Sequence, residues 1–270
     1  MIATERRLWC RVPFGSACGV RSITVSLEPT VDLNTAAIAY RPAVGEERSV
    51  LAERVSPAAL FCAAPWRTFR WYFGQRHYSG TYWSATQCDH VVYESRLELA
   101  NLLLADFDPA VRHIVAQPFL MSVEVDGHVR KHIPDYLWDS DSGPVVVDVI
   151  RSERMIQPKV VLLCSWTRQI VESLGWSYRV VHEPPRIRLS NVRFLAGYRR
   201  DWLINRSLLD EIRCGLVRFS GISIADAEQT VDGYPHQLVR PALMHLLWRH
   251  EYCADLDVPL RPSTVLEAPR

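Results

Sequence analysis

Lysine is nearly missing from this chain. Lys131 and Lys159 are the two among 31 basic residues, so any chemistry that needs an ε-amino group has only those candidates. Paired cysteines are missing too. The seven cysteines (10, 18, 62, 88, 164, 214 and 253) are scattered, odd in number and form no C-x-x-C pair, which argues against a disulfide scaffold or a structural zinc site. No run of about 18 apolar residues is present, so no membrane span is expected. The opening stretch MIATERRLWCRVPFGSACGV lacks the continuous apolar segment of a signal peptide, and the expected compartment is the cytoplasm. A formal net charge of +1 supplies no global field toward nucleic acid or membrane, so any basic surface must be local.

What is there is ordinary globular material: 48% hydrophobic residues in 270 suffice for one large domain or two modest ones. Residues 1–64 are weakly patterned and β-rich, with strands expected at Ser22–Leu33 and Ala36–Val44. Pro65–Thr86 interleaves eight aromatic residues with Arg67, Arg70 and Arg76. Such a segment can stack bases and grip phosphates, or can be a sheet edge with a hairpin return near Ser79-Gly80.

The most informative stretch is Glu94–Ile150. An amphipathic helix is expected over Tyr93–Phe107, with Glu94 and Glu98 on one face, and Asp108-Pro109 ends it. Val111–Val125 reads as one extended segment kinked at Pro118, followed by a hairpin turn at Asp126-Gly127. The strands HVRKHIPDYLW and PVVVDVI flank the turn Ser140–Gly143. Alternation puts Ile133, Asp135 and Leu137 on one face of the first, and Val146, Asp148 and Ile150 on one face of the second. A carboxylate inside the run Val145–Ile150 is costly to bury unless something positive meets it. If the turn sets the register so that Asp135 and Asp148 project together, two carboxylates converge. A helix over Gln157–Trp176, framed by Pro158 and Gly175, and a strand over Ser177–Glu183 complete the unit at residues 65–185. The expected class is α/β: a restriction-endonuclease-like core of helix, three strands, helix and strand in a mixed sheet. Residues 190–266 turn helical, with helices expected within Asn191–Leu216, at Ile224–Gln229 and at Pro241–Tyr252, then a short extended tail. That order resembles a winged-helix domain, suited to protein contact at least as well as to groove reading.

An acid on a helix, Pro-Asp at a strand and Asp-x-basic on the next strand is the sequence form of the PD-(D/E)xK nuclease core. There, two acidic groups and a backbone carbonyl (here Asp135, Asp148 and Val149, with Glu98 upstream) hold Mg²⁺ or Mn²⁺. A lysine two residues after the second acid orients the attacking water. The segments SRLE (Ser95–Glu98), LADFDPAV with QPF (Gln117–Phe119), HIPDYL, VVVDV and GWSYRVV further resemble the TnsA-like endonuclease subunit of heteromeric bacterial transposases, over roughly residues 65–266. The resemblance implies that Glu98, Asp135 and Asp148 are the catalytic acids and that the 5′ ends of transposon DNA are nicked. It also implies a DDE-type transposase and an AAA+ ATPase regulator as partners.

One position departs from the pattern: Ile150 stands where lysine is expected. Arg151 has the charge but faces the other side, and its high pKa makes it a poor base. Lys159, near the start of the following helix, is placed to reach back. Lys131 shares the face of Asp135 at about 13 Å along the strand, which suits a flanking phosphate. Two readings stay open: an active endonuclease using Lys159 or Arg151, and a nuclease fold kept as an adaptor between transposase and regulator. A plain DNA-binding regulator is the more remote third.

Overall fold

Turns at Asp126-Gly127 and Ser140–Gly143 fall where expected, yet the strands around them divide between two sheets. The computed structural model describes residues 28–67, 78–215 and 219–269. The chain begins with β1 (Val31–Pro42), β2 (Arg48–Leu51), α1 (Pro57–Phe61) and the two-residue β3 (Ala63–Ala64). A hairpin of β4 (Gly80–Ser84) and β5 (Asp89–Tyr93) leads to α2 (Arg96–Phe107). Next come β6 (Val111–Ala116), β7 (Leu120–Val125), β8 (His128–His132), β9 (Tyr136–Ser140) and β10 (Gly143–Val149). Then α3 (Pro158–Ser173) and β11 (Ser177–Val181) precede α4 (Arg186–Leu195), α5 (Arg206–Cys214), α6 (Ile224–Thr230) and α7 (His236–Trp248).

One sheet has the order β11-β10-β9-β6, with β9 antiparallel to both neighbours and β11 joining β10 in parallel across α3. The element order helix, three strands, helix, strand is therefore present, with a hairpin inserted. That hairpin, β7-β8, belongs to the other sheet, whose order is β2-β1-β7-β8 with β3 beside β1. The two proline positions explain the division, because proline cannot donate to a ladder. Chain leaves the first sheet at Gln117-Pro118, where Gln117 takes a φ of +47°, and returns at Ile133–Asp135 around Pro134. Both expected long strands are thus corrected to pairs of short ones.

Four smaller expectations are corrected as well. The described part of the N-terminal segment has one long strand, β1, in place of the junction expected between residues 33 and 36. Helix α2 starts at Arg96 and not at Tyr93, while the described hairpin turns at Ala85–Cys88 with Cys88 at φ +53°; the strand expected before Ser79-Gly80 lies mostly outside the described residues. The first C-terminal helix starts five residues early, at Arg186. Pro241 lies inside α7 rather than at its start.

Both faces of β10 are buried, which is why its sequence is a continuous apolar run. Val145 and Val147 enter a core with Leu102 and Phe107 of α2 and with Leu195, Leu246 and Trp248 of the C-terminal helices. Val146 points the other way with Leu137, against Trp166 and Ile170 of α3 and Ile38 and Met121 of the larger sheet. Each such side chain is worth roughly 1.5–3 kcal/mol when fully buried. One apolar cluster therefore joins the strand–helix unit to the C-terminal helices. The tail returns to bridge Ser223 with Val265 and Cys253 with Glu267 in short antiparallel contacts.

Candidate functional site

The register of β9 on β10 pairs Tyr136 with Val147, and one more step sets Asp135 opposite Asp148. Cross-strand neighbours share a face. Asp135 is already leaving the ladder, however, and its carboxylate caps the end of β10 by accepting the Val149 amide at 2.6 Å. Its own carbonyl accepts the amide of Gln117 at 2.8 Å. Burial, then the charges of Asp148 and Glu98, holds the Asp135 carboxyl well above the usual carboxylate range; the Val149 amide offsets only part of this. Asp135 is therefore the member within electrostatic reach of both other acids.

Asp148 is 2% exposed and has found partners of its own. Nε2 of His132 lies 2.9 Å from each of its oxygens, and the Tyr178 hydroxyl donates to Oδ2 at 2.5 Å. The His132 ring stands edge-on to Trp166 with centroids 6.0 Å apart. Burial and the adjacent Asp148 charge push the Tyr178 hydroxyl above its ordinary value, so it stays a donor. His132 was not singled out in the sequence. The available signal was its position at the end of a strand just before Ile-Pro-Asp, and only the break at Pro134 turns it toward Asp148.

Glu98 has a structural duty that the motif Ser95-x-x-Glu98 announces and that the sequence reading passed over. The Ser95 hydroxyl accepts the Glu98 amide at 3.1 Å, while the Glu98 carboxylate accepts the Glu94 amide at 2.7 Å and the Ser95 hydroxyl at 2.8 Å. This reciprocal capping box starts α2. Burial raises the Glu98 carboxyl above its usual range, and the bonds from Glu94 and Ser95 work against that rise. Glu94 precedes the helix and accepts from the side-chain amide of Gln117 and from Arg67 (3.2 Å). Gln117 also accepts the Arg67 amide on its side-chain oxygen at 3.0 Å and the Trp66 amide on its carbonyl at 2.9 Å. It thereby ties the entry of the aromatic segment to the acids.

The basic candidates are less well placed. Lys159 is exposed on the first turn of α3, and Arg151 is exposed beyond β10 and pairs with Glu153 at 3.9 Å. Among the described residues, neither forms an ion pair with Asp135 or Asp148; the ring that meets Asp148 is that of His132. Lys131 is exposed on β8 opposite Ser122, in the other sheet, so it does not share a strand face with Asp135 as expected. Arg67 is half-exposed and already bound to Glu94. Arg70 and Arg76 lie outside the described residues.

Oxygen donors at Asp135, Asp148, Glu98 and the Val149 carbonyl are the chemistry a hard divalent cation prefers, and the excess negative charge at Asp135 is what such an ion would relieve. Among the described residues, no three His, Cys, Asp or Glu side chains already form a group able to hold a metal ion. Oδ2 of Asp148 already meets both His132 and Tyr178, whereas the bonded oxygens of Asp135 and Glu98 each accept one of the hydrogen bonds described and keep a lone pair. The residues match such an ion in donor chemistry, while Glu98 is engaged by Ser95 and the Glu94 amide and Asp148 by His132 and Tyr178. Comparison with models of known families and with curated proteins gives no match for this sequence. No helix among the described residues is long and apolar enough to cross a membrane.

Proposed function

We propose that the chain is a metal-dependent DNA endonuclease subunit of the TnsA-like, PD-(D/E)xK type, nicking transposon-end DNA at 5′ ends beside a DDE-type transposase and an AAA+ ATPase regulator. The observation that carries this reading is Asp135. It lies one step beyond the Tyr136–Val147 pair, and its carboxyl is raised first by burial and then by the charges of Asp148 and Glu98. The helix, three strands, helix, strand order around a mixed sheet, with the charges of Asp148 and Glu98 felt at Asp135, supports a nuclease-like core. Asp135 and Asp148, with the Val149 carbonyl and Glu98, would hold Mg²⁺ or Mn²⁺. The bound ion would acidify a water and screen the scissile phosphate. The protein's own part is positioning: the Val149 amide fixes Asp135, His132 and Tyr178 orient Asp148, and Gln117 anchors Glu94 beside them. The α4–α7 region, read as winged-helix-like, serves partner contact.

The test is nicking of transposon-end duplex in Mg²⁺ or Mn²⁺ with partner subunits present. Asp135→Asn and Asp148→Asn must each abolish it; nicking that survives both changes dismisses the site. A second reading rests on a separate observation. Both oxygens of Asp148 are engaged, Ile150 replaces the motif lysine, and Lys159 stands apart on the surface. Those features favour a nuclease fold retained as an adaptor, which calorimetry identifies by the absence of Mg²⁺ binding.

A further inference from the structure

The connection between α4 and α5 takes no part in the chemistry proposed above, yet it exposes an indole beside an uncompensated cation. Trp202 is 60% exposed, and its ring stands perpendicular to that of Trp83 on β4 with centroids 5.0 Å apart. The guanidinium carbon of Arg200 lies 5.2 Å from the Trp83 ring centre and 5.9 Å from that of Trp202.

Two adjacent arginines divide the work here. Arg199 is structural: its Nε donates to the Trp83 carbonyl at 3.1 Å and its Nη1 to the Ala196 carbonyl at 2.5 Å, while its guanidinium covers Tyr82. Arg200 is different. Its Nε is buried without a hydrogen-bond partner, and among the described residues it forms no ion pair. Between positions 193 and 206 the chain carries four arginines (193, 199, 200 and 206) against one acid, Asp201. The Asp201 carboxylate accepts the amide of Trp202 at 2.9 Å. A solvent-facing indole beside a free guanidinium suits a base and its phosphate, since every base offers a π-face and every nucleotide a negative charge. An apolar protein surface would leave the cations unmatched.

We propose that Trp202 and Arg200 form a stacking platform for an unpaired nucleotide of DNA, the base lying on the Trp202 ring and the phosphate meeting Arg200. The proposal rests on the reading of the chain as a DNA-acting subunit and assigns it a second, single-strand contact away from the acids.

The experiment uses the full chain and fluorescence anisotropy of a labelled oligothymidylate, with a duplex of equal length for comparison. Trp202→Ala is expected to weaken oligothymidylate binding about tenfold with little change on duplex, and Trp202→Phe to keep most of the affinity. Arg200→Gln is expected to reduce the slope of log affinity against log salt by about 0.7. Unchanged affinity in Trp202→Ala, or absence of oligothymidylate binding by the parent, overturns the platform. So does a result in which Trp202→Ala leaves DNA binding intact and dissociates an oligomer, because the patch is then a protein interface. Asp135→Asn separates the two ideas. It should abolish nicking and leave oligothymidylate binding untouched, so the failure of one reading is seen independently of the other.

Discussion

Nε2 of His132 sits 2.9 Å from both oxygens of Asp148, so a buried acid that a metal was expected to meet is met by an imidazole. The pair is nearly out of water, with side-chain exposures of 15% and 2%. Removing His132 leaves the carboxylate with Tyr178 as its remaining side-chain donor. His132→Ala should therefore cost about 2 kcal/mol in urea unfolding, and Tyr178→Phe about 1–2 kcal/mol. Because both act on one carboxylate, the double variant should depart from additivity. An unchanged unfolding midpoint in His132→Ala would mean that Asp148 does not depend on the ring.

Asp135 gives a pH dependence of unusual sign. Its carboxyl is raised in the folded protein, so the folded state binds the proton more tightly than the unfolded chain does. The stability this contributes is present below the ordinary Asp value of about 3.9 and is lost as pH rises through the folded-state value. At neutral pH, far above the unfolded-chain value, burying this carboxyl costs stability. Asp135→Asn, which keeps an acceptor for the Val149 amide, should raise the urea midpoint at pH 7, and the gap should close as pH falls toward 4. Added Mg²⁺ should stabilise the parent and not the variant, because a ligand of the native state alone raises stability by mass action. A Mg²⁺ response of equal size in both would remove Asp135 from the ion's ligands.

Glu98 has two possible duties, and substitutions separate them. As the third residue of the capping box it returns bonds to Ser95 and Glu94. Glu98→Gln keeps acceptor capacity for the Glu94 amide, so stability should change little. Ser95→Ala removes the cap and should cost about 1 kcal/mol. If Glu98 is also a metal donor, Glu98→Gln should lower nicking while the thermal midpoint holds. Activity that follows stability through the series would leave Glu98 with the cap alone.

How far the sequence discloses this arrangement depends on whether local chemistry or sheet membership decides. The spacing of Leu99, Leu102 and Leu103 and the stop at Asp108-Pro109 locate α2, and Pro158 with Gly175 (φ +74°) frames α3. The turn at Ser140–Gly143 fixes the register that pairs Tyr136 with Val147, the neighbours of Asp135 and Asp148. Local pattern cannot reveal that β6 and β7 belong to different sheets, because alternation is the same on either side of Pro118. The same holds for β8 and β9 across Pro134, and this misplaced Lys131 and concealed His132. Gln117 is hidden for a related reason. Its role follows from a positive φ and from partners on three separate segments, none of them near in sequence.

The choice between enzyme and adaptor turns on position 150. Ile150 continues the β10 ladder through its amide, which donates to the Val181 carbonyl at 2.8 Å. Residues two apart on a strand share a face, so a lysine there would stand on the side of Asp148. The site is half-buried, and the aliphatic stem of lysine can replace the isoleucine packing while its ammonium reaches the edge. Ile150→Lys should therefore be tolerated within about 1 kcal/mol and should add the cation that offsets charge on a cleaved phosphate. If the parent nicks transposon-end DNA only weakly, the variant should nick faster by at least tenfold in Mg²⁺, and Asp148→Asn should cancel the gain. A silent parent made active by this one change would mark the chain as a nuclease fold that lost its lysine. A variant that folds, binds Mg²⁺ and still leaves the DNA intact would locate the deficit in Asp148, whose oxygens His132 and Tyr178 already hold.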